Sequence, residues 1–238
     1  MSFGYQVLGF GAFPSRGAGA YVPSHAAVFD GSADYLIWTP SHVPASNTKK
    51  TISFWAKRTK FASVQWILDV ASNGDQIQFT VGDALEVSLN ATTDSHLTTT
   101  PLFRDITAWE HFVVVFDTNN STAADRVKVY VNGSRIADAD LANSTDPAQG
   151  ANVDWLKGGI QHNIGRRGNN SQFYSGLLAE FVGIDGLALT PASFGETNSN
   201  GVWVPKDPLQ GYEGGLAGTA NISDWGGPNS VYFNFSDT

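Results

Sequence analysis

The stretch from residue 109 to residue 136 constrains the fold more than any other part of the chain. Residues 112–116 read Phe-Val-Val-Val-Phe, and an uninterrupted apolar run of this kind indicates a strand covered on both faces. After a polar loop, valines at positions 127, 129 and 131 alternate with more polar residues, as expected for a strand with one buried face. Asn132-Gly133 follows and favours a tight type I′ turn, in which both residues need positive φ. The sequence therefore predicts a β-hairpin beside a fully buried strand.

Further strands are predicted through most of the chain. Alternating or apolar runs occur at residues 26–29, 35–38, 52–57, 66–70, 77–81, 85–89, 162–166, 173–184 and 231–235. Turn signals such as Asn73-Gly74 and Gly82-Asp83 separate them at intervals of about ten residues, a spacing typical of β-sandwiches and barrels. By contrast, residues 141–157 read as a loop, and Thr190-Pro191 predicts one short helix with a threonine N-cap. We expect an all-β, antiparallel sandwich.

The composition of the chain limits the classes of function. A net charge of −8 argues against binding to a nucleic-acid backbone, which requires clustered lysine and arginine. The chain has no cysteine, which excludes disulfides, thiolate metal sites and a cysteine nucleophile. Neither a signal peptide nor an apolar run near the length of a membrane span is visible. We therefore expect no nucleic-acid partner and no membrane partner.

The N-terminal region differs in character from the rest of the chain. We divide the sequence into an arm, residues 1–23, and a domain, residues 24–238, with a core of about residues 26–196 and a C-terminal extension of residues 197–238. A solvated tail is normally polar, whereas this arm interleaves large apolar residues with glycine. It either packs back on the core of its own chain or anchors the domain to another subunit. The candidate anchoring residues are Phe3, Tyr5, Val7, Leu8, Phe10 and Phe13.

Several segments together resemble the laminin G-like or concanavalin A-like jelly-roll family. They include Phe29-Asp30-Gly31-Ser32, the Thr-Ile-Ser-Phe-Trp-Ala-Lys segment at 51–57, Trp109-Glu110-His111-Phe112, and the segments at 129–133 and 176–181. These segments follow the order of the family. The resemblance implies an antiparallel jelly-roll sandwich. It implies less about function, since the family includes lectins, adhesion modules, glycosidases and virion proteins.

Two further regions resemble structural proteins of tailed bacteriophages. Residues 1–11 are similar to the start of small proteins of that kind, and residues 194–206 and 232–237 are similar to the end of jelly-roll domains in virion proteins. This resemblance implies a structural protein located in the virion, as a capsid decoration, fibre or tail-associated protein that the arm anchors. Its partners would be a major capsid or tail protein, further copies of itself, for instance in a trimer, and host-surface glycans. The alternative is a carbohydrate-binding, lectin-like module of a secreted or cell-surface protein.

Patterns that would indicate catalysis are weak. Glycosidases of this fold carry carboxylates at two-residue steps on one strand, as in Glu-x-Asp-x-x-Glu, and no glutamate of the chain has such neighbours. The nearest approach is Glu180 with Asp185, a spacing that places the two carboxylates on opposite faces of a strand. The five histidines are scattered, and we interpret His111 as a hydrogen-bonded structural residue. We therefore expect no enzyme activity and assign no catalytic residue.

Two turns and three tryptophans are candidates for ligand contacts. The turns at residues 30–34 and 73–75 offer oxygen atoms suited to Ca²⁺, although Asp and Asn side chains in turns often bind their own backbone instead. We expect no other cofactor. Four of the seven tryptophans lie in predicted strands and are assigned to the core. The other three, in predicted loops, are candidates for stacking on a sugar ring: Trp155, Trp203 and Trp225.

Overall fold

Two antiparallel sheets packed face to face form the body of the protein. The computed structural model describes residues 21–70, 74–90, 92–207 and 225–236. In chain order the strands are β1 (Ala27–Asp30), β2 (Leu36–Trp38), β3 (Lys49–Arg58), β4 (Gln65–Val70), β5 (Gln76–Phe79), β6 (Ala84–Leu89), β7 (Ser95–Leu102), β8 (Glu110–Asp117), β9 (Val127–Val131), β10 (Ser134–Arg135), β11 (Leu141–Thr145), β12 (His162–Ile164), β13 (Ser175–Asp185), β14 (Gly195–Thr197), β15 (Trp203–Pro205) and β16 (Val231–Phe233). The predicted all-β sandwich is confirmed.

Each of the two main sheets contains seven of the described strands. The first sheet has the order β1-β13-β3-β8-β9-β10, and β16 also pairs with β13. The second sheet has the order β11-β7-β6-β5-β4-β12-β2. Strands β14 and β15 form a small separate sheet. The non-sequential strand order is that of a jelly roll, in which neighbours in the sheet are often distant in the chain.

Strand β8 is buried on both faces, as its sequence predicts. Phe112 and Phe116 are fully buried in the core between the two sheets. Val113 and Val115 face the opposite way and belong to a second apolar cluster. Because β8 pairs with β3 on one side and β9 on the other, it lies in the interior of the first sheet.

The hairpin that follows β8 has its predicted turn. Asn132 (φ 48°) and Gly133 (φ 82°) both adopt the left-handed conformation that a type I′ turn requires. Val131 and Ser134 pair directly across this two-residue turn. The Asn132 side chain also accepts a hydrogen bond from the backbone N–H of His111, at 2.9 Å, which ties the turn to the start of β8.

Segments that follow β13 cover the outer face of the first sheet. Val115 and Ile184 on this face pack against Phe194 and Trp225. Farther along the sheet, the partly buried ring of Trp203 packs against the cluster that contains Trp55. The first sheet is therefore buried on both faces over much of its area, and the outer face of the second sheet is the larger one left for contact with solvent.

Helical structure is confined, within the described ranges, to three short 3-10 turns. They are Ala123–Asp125, Asp138–Asp140 and Pro191–Ser193. The last is the predicted short helix, reduced to one turn, and Thr190 makes no side-chain capping hydrogen bond there. None of the helices in the described part of the chain is long and apolar enough to span a lipid bilayer.

Two strands of the second sheet differ from the sequence prediction. The loop predicted at 141–157 begins with the edge strand β11, which pairs with β7. Only its first residue, Leu141, is large and apolar, and the other four are exposed. Strand β7 has no counterpart among the predicted strands, because its sequence, Ser-His-Leu-Thr-Thr-Thr-Pro-Leu, offers little apolar alternation. Backbone pairing with neighbouring strands can create an edge strand where hydrophobic periodicity is absent.

Candidate functional site

The second sheet presents a polar surface on the side that faces away from the core. Core residues such as Ile77 and Val87 point inward, and because side chains alternate along a strand, their neighbours point outward. The strand register aligns these outward residues in two rows that cross β5, β6 and β7, and β11 adds a residue at the edge. We call this surface the polar sheet face, and it consists of Gln76, Gln78, Glu86, Ser88, His96, Thr98 and Asn143.

A hydrogen-bond network centred on Glu86 organises the polar sheet face. One carboxylate oxygen of Glu86 accepts hydrogen bonds from the side-chain amides of Gln78, at 2.6 Å, and Gln76, at 3.4 Å. The other oxygen lies 3.1 Å from Nε2 of His96. Asn143 Nδ2 lies 2.7 Å from His96 Nδ1 and donates to it, which leaves the ring proton on Nε2, facing Glu86. The side chains of His96 and Glu86 are 24% and 13% exposed, so the network reaches solvent.

Three buried oxygen atoms of the polar sheet face have no hydrogen-bond partner among the described residues. They are Oε1 of Gln76, Oε1 of Gln78 and Oγ of Ser88. A buried polar atom that lacks a partner costs about 1–3 kcal/mol, so such atoms are normally satisfied by water or a ligand. Gln78 is itself half-buried, at the surface of the network. These three atoms are themselves buried, so a ligand can reach only the exposed or partly exposed side chains of the face, which are Gln78, Glu86, His96, Thr98 and Asn143.

Beside the polar sheet face, the outer side of β4 is covered by residues that follow β12. The Arg167 guanidinium lies 5.1 Å from the centre of the Trp66 ring. The backbone N–H of Gly168 donates to Asp69 at 2.5 Å. Arg166 bonds to Asn163 and Asn170 within the same region. Trp66 is only 3% exposed, so its ring is not available to a ligand.

Two of the three tryptophans proposed for sugar stacking are core residues, which corrects the prediction that loop position makes them accessible. Trp155 is fully buried and stacks on Phe116, with 6.0 Å between ring centres. Trp225 is 1% exposed and packs in the apolar cluster on the outer face of the first sheet. Both rings occupy space between packed layers. Neither can stack on a sugar in this structure.

Trp203, the third candidate, is half-buried, and its ring is the last of three stacked rings. His111 lies between Trp55, at 4.7 Å, and Trp203, at 6.0 Å, with nearly parallel ring planes. Trp203 Nε1 donates to His111 Nδ1 at 2.9 Å, so the proton of the neutral imidazole is on Nε2, which faces Ser53 Oγ at 2.8 Å. Burial lowers the pKa of His111 to about 3. The interpretation of His111 as a hydrogen-bonded structural residue is confirmed.

The buried carboxyl groups of the first sheet do not form a pair. Glu180 accepts a hydrogen bond from the Tyr232 hydroxyl at 2.6 Å, and burial raises the pKa of Glu180 to about 7. Asp185 instead forms a fully buried ion pair with Lys50 and accepts a hydrogen bond from Ala45. The two carboxyl groups thus have different partners, in agreement with the opposite-face placement. This geometry does not provide the paired acid and nucleophile of a glycosidase.

The two turns proposed for Ca²⁺ direct their oxygen atoms to the backbone. Asp30 accepts a hydrogen bond from the hydroxyl of Ser32, and this bond, with further bonds from the backbone N–H groups of Ser32, Ala33 and Asp34, lowers the pKa of Asp30. Asp75 accepts from the backbone at two positions, and burial raises its pKa to about 7. Asn73 lies outside the described residues. Across the described ranges, no group of three or more His, Asp or Glu side chains is placed to hold a metal ion.

The polar sheet face is a candidate site that sequence motifs do not reveal. Its signal in the sequence is the contrast between strands: β5 and β6 alternate apolar residues with Gln and Glu, whereas β8 is apolar throughout. That contrast identifies which sheet has a solvated face. It does not identify His96 or Asn143, because β7 and β11 lack recognisable alternation.

The proposed anchoring arm cannot be compared with the structure. Phe3, Tyr5, Val7, Leu8, Phe10 and Phe13 all lie outside the described residues. Anchoring to a virion, virion partners and a trimer therefore stay predictions. The C-terminal strand, by contrast, lies within the described residues. It forms as predicted, as β16, and pairs with β13.

Comparison with known proteins agrees with this architecture. A heptameric pentraxin from Limulus polyphemus is 18% identical, with a TM-score of 0.50 and an alignment over 69% of this chain and 77% of that chain. A protein from Bacteroides ovatus ATCC 8483 that carries a provisional assignment as a carbohydrate binding protein is 16% identical, with a TM-score of 0.51 over 69% of this chain and 44% of that chain. No curated protein matches. The family description that matches residues 30–193 is that of the concanavalin A-like lectin/glucanases superfamily, and the chain belongs to that superfamily.

Proposed function

We propose that this chain is a non-catalytic, lectin-like module that binds carbohydrate at the polar sheet face. The observation that carries the proposal is the Glu86-centred hydrogen-bond network, in which the side chains of Glu86 and His96 are partly exposed. Sugar hydroxyls both donate and accept hydrogen bonds, so they can bond to these partly exposed groups. Membership of a superfamily named for lectins and the provisional assignment of the Bacteroides ovatus protein support this proposal.

The composition of the face favours neutral sugars over acidic ones. Glu86 places a carboxylate at the centre of the network, and the chain as a whole carries a net charge of −8. An anionic sugar would meet like charge there, and like charges at close range repel. Neutral hydroxyls can instead donate to Glu86 and accept from the hydroxyl of Thr98.

Binding at this face would depend on hydrogen bonds more than on ring stacking. Trp66, the tryptophan nearest to the face in the described second sheet, is buried beside Arg167. Three or four neutral hydrogen bonds at about 1 kcal/mol each correspond to a Kd near 1 mM. The module would therefore bind a single short glycan weakly and would gain strength from repeated ligands or repeated copies.

Titration with a panel of neutral and sialylated oligosaccharides at millimolar concentration tests the proposal. We expect binding to at least one neutral glycan, and at least a tenfold loss of affinity in Glu86→Ala and in Gln78→Ala. Glu196→Ala is the matched control, because Glu196 is an exposed glutamate on β14, away from the second sheet. Absence of binding across the panel, or equal losses in Glu86→Ala and Glu196→Ala, would contradict the proposal.

A further inference from the structure

An apolar groove lies between the outermost strand of the second sheet and a short strand of the first. Its volume is about 280 Å³, and its lining comes from β2 and from the β16 region. Ile37 in the groove is 53% exposed, although large apolar side chains are usually covered in a stable fold. The apolar lining residues are Leu36, Ile37, Trp38, Tyr232, Phe233 and Phe235.

Both strands beside the groove have a free edge among the described strands. Strand β2 pairs with β12, and β16 pairs with β13, each along one side. A free strand edge presents backbone N–H and C=O groups that can bind another extended segment. Addition of a strand is a common way to fill such an edge, with alternate side chains of the added strand entering the adjacent pockets.

The chain itself supplies a segment of suitable chemistry that starts close to the groove. Tyr21, the first described residue, lies with its hydroxyl 3.3 Å from the hydroxyl of Tyr232, which lines the groove. Residues 1–20 therefore leave the described structure at this rim. Within them, Phe3, Tyr5 and Val7 recur at every second position, which places all three on one side of an extended strand. Residues 8–20 can span up to about 45 Å, enough to bring residues 3–7 back to the groove.

We propose that residues 3–7 add as a strand beside β16 of the same chain and insert Phe3, Tyr5 and Val7 into this groove. The short covalent connection to Tyr21 favours the intramolecular arrangement, because two segments joined over a short length of chain meet at an effective concentration in about the millimolar range. The N-terminal arm then completes the edge of the sandwich. This role is separate from the proposed glycan site, which lies on the outer face of the second sheet.

Hydrogen exchange on the full chain, read by mass spectrometry, tests this proposal. We expect amides of residues 3–7 to exchange at least tenfold more slowly than an unstructured peptide of the same sequence. The triple variant Phe3→Ser/Tyr5→Ser/Val7→Ser should lose that protection and increase exchange in β16 (Val231–Phe233) at least tenfold. The matched control, Leu8→Ser/Phe10→Ser/Phe13→Ser, removes as many apolar side chains from the arm but leaves positions 3, 5 and 7 intact, and should change β16 exchange less than twofold.

A groove-side variant and a concentration series complete the test. Ile37→Asp, at an exposed position that needs no core repacking, should also remove the protection of residues 3–7. Protection should be the same at 1 and 100 µM. Exchange of residues 3–7 at the unstructured rate, protection that survives Ile37→Asp, or equal effects of the two triple variants would overturn the proposal. Protection that increases with concentration would also overturn it, because it would place the arm on a second copy.

Discussion

His111 illustrates how a single buried residue can carry several structural tasks. Its ring fills the space between Trp55 and Trp203, its two nitrogens bond to Ser53 and Trp203, and its backbone N–H bonds to the turn at Asn132. The bond to Trp203 requires the neutral ring, because Nδ1 must accept a hydrogen bond from the indole N–H. The residue is therefore sensitive to acid although it lies far from solvent.

We expect the stabilising effect of His111 to decrease as the pH falls. The unfolded chain binds a proton at His111 near pH 6.5, whereas the folded chain does so only near pH 3. Between these values the unfolded state holds more protons, so the free energy of unfolding falls as the pH falls. The stability difference between the parent and His111→Gln should accordingly shrink by up to about 1.4 kcal/mol per pH unit from pH 6 to pH 4. Urea unfolding at pH 7, 5.5 and 4.5 measures it, and a constant difference would contradict the assignment.

At the scale of elements, the β9–β10 hairpin is both a local turn and a packing surface. Gly133 has φ +82°, and a Cβ added there would lie 2.6 Å from the Trp203 ring. The type I′ turn thus needs glycine for its backbone conformation and also for the close approach of β15. A sequence pattern reveals the first requirement, while the second depends on a residue distant in the chain.

The two requirements can be separated with a pair of glycine substitutions. Gly159 has a similar φ of +77° but no atom within 4 Å of an added Cβ. Gly159→Ala should lower the free energy of unfolding by about 1–2 kcal/mol, the cost of the left-handed backbone conformation alone. Gly133→Ala should cost about 1–3 kcal/mol more, because the ring of Trp203 must move. Denaturant unfolding measures both, and equal costs would mean that the approach of Trp203 contributes nothing.

The sequence predicts strands well where the hydrophobic pattern is strong. It predicts them poorly where contacts with distant residues determine whether a strand forms. β8 and the Asn132-Gly133 turn follow from local rules, and so does the all-β class. β7 and β11 form because neighbouring strands offer backbone partners, which their own residues do not signal. Burial of Trp155 and Trp225 likewise depends on which layers meet around them. The polar sheet face is predictable only in part, from the alternation of β5 and β6.

For the whole molecule, a buried ion pair connects the first sheet to the C-terminal segment. Lys50 of β3 and Asp185 of β13 are both fully buried, and burial lowers the pKa of Lys50 from its ordinary value. The backbone of Asp185 accepts a hydrogen bond from Gly227 at 2.6 Å and donates one to Ser230 Oγ at 3.0 Å. The backbone of Asp185 therefore helps to hold the segment that leads into β16, beside the ion pair that joins β3 and β13.

Breaking this pair should destabilise the entire domain. Lys50→Met leaves the carboxylate of Asp185 buried without its cation and should cost about 3–5 kcal/mol. Its neighbour Lys49 is 43% exposed and lies 3.7 Å from Asp117, so Lys49→Met should cost less than about 1 kcal/mol. Thermal or urea unfolding of both variants measures the difference.

A second variant identifies the source of that cost. In Lys50→Met/Asp185→Asn the uncompensated charge is removed, so part of the lost stability should return. If the double variant is no more stable than Lys50→Met, the loss arises from packing of the lysine stem and not from the buried charge.

The pairing of β13 with both β1 and β16 has a consequence for synthesis in the cell. Phe181 of β13 pairs with Phe233, so a nascent chain cannot close this side of the sandwich until residue 233 has left the ribosome. Until then, aromatic surface near Trp38 and Phe181 lacks its cover from Phe233. Folds that depend on such distant pairings form slowly, and until they are complete they expose apolar surface that promotes aggregation. Translation speed and chaperone capacity should therefore govern the yield of this protein more than the strength of its finished core.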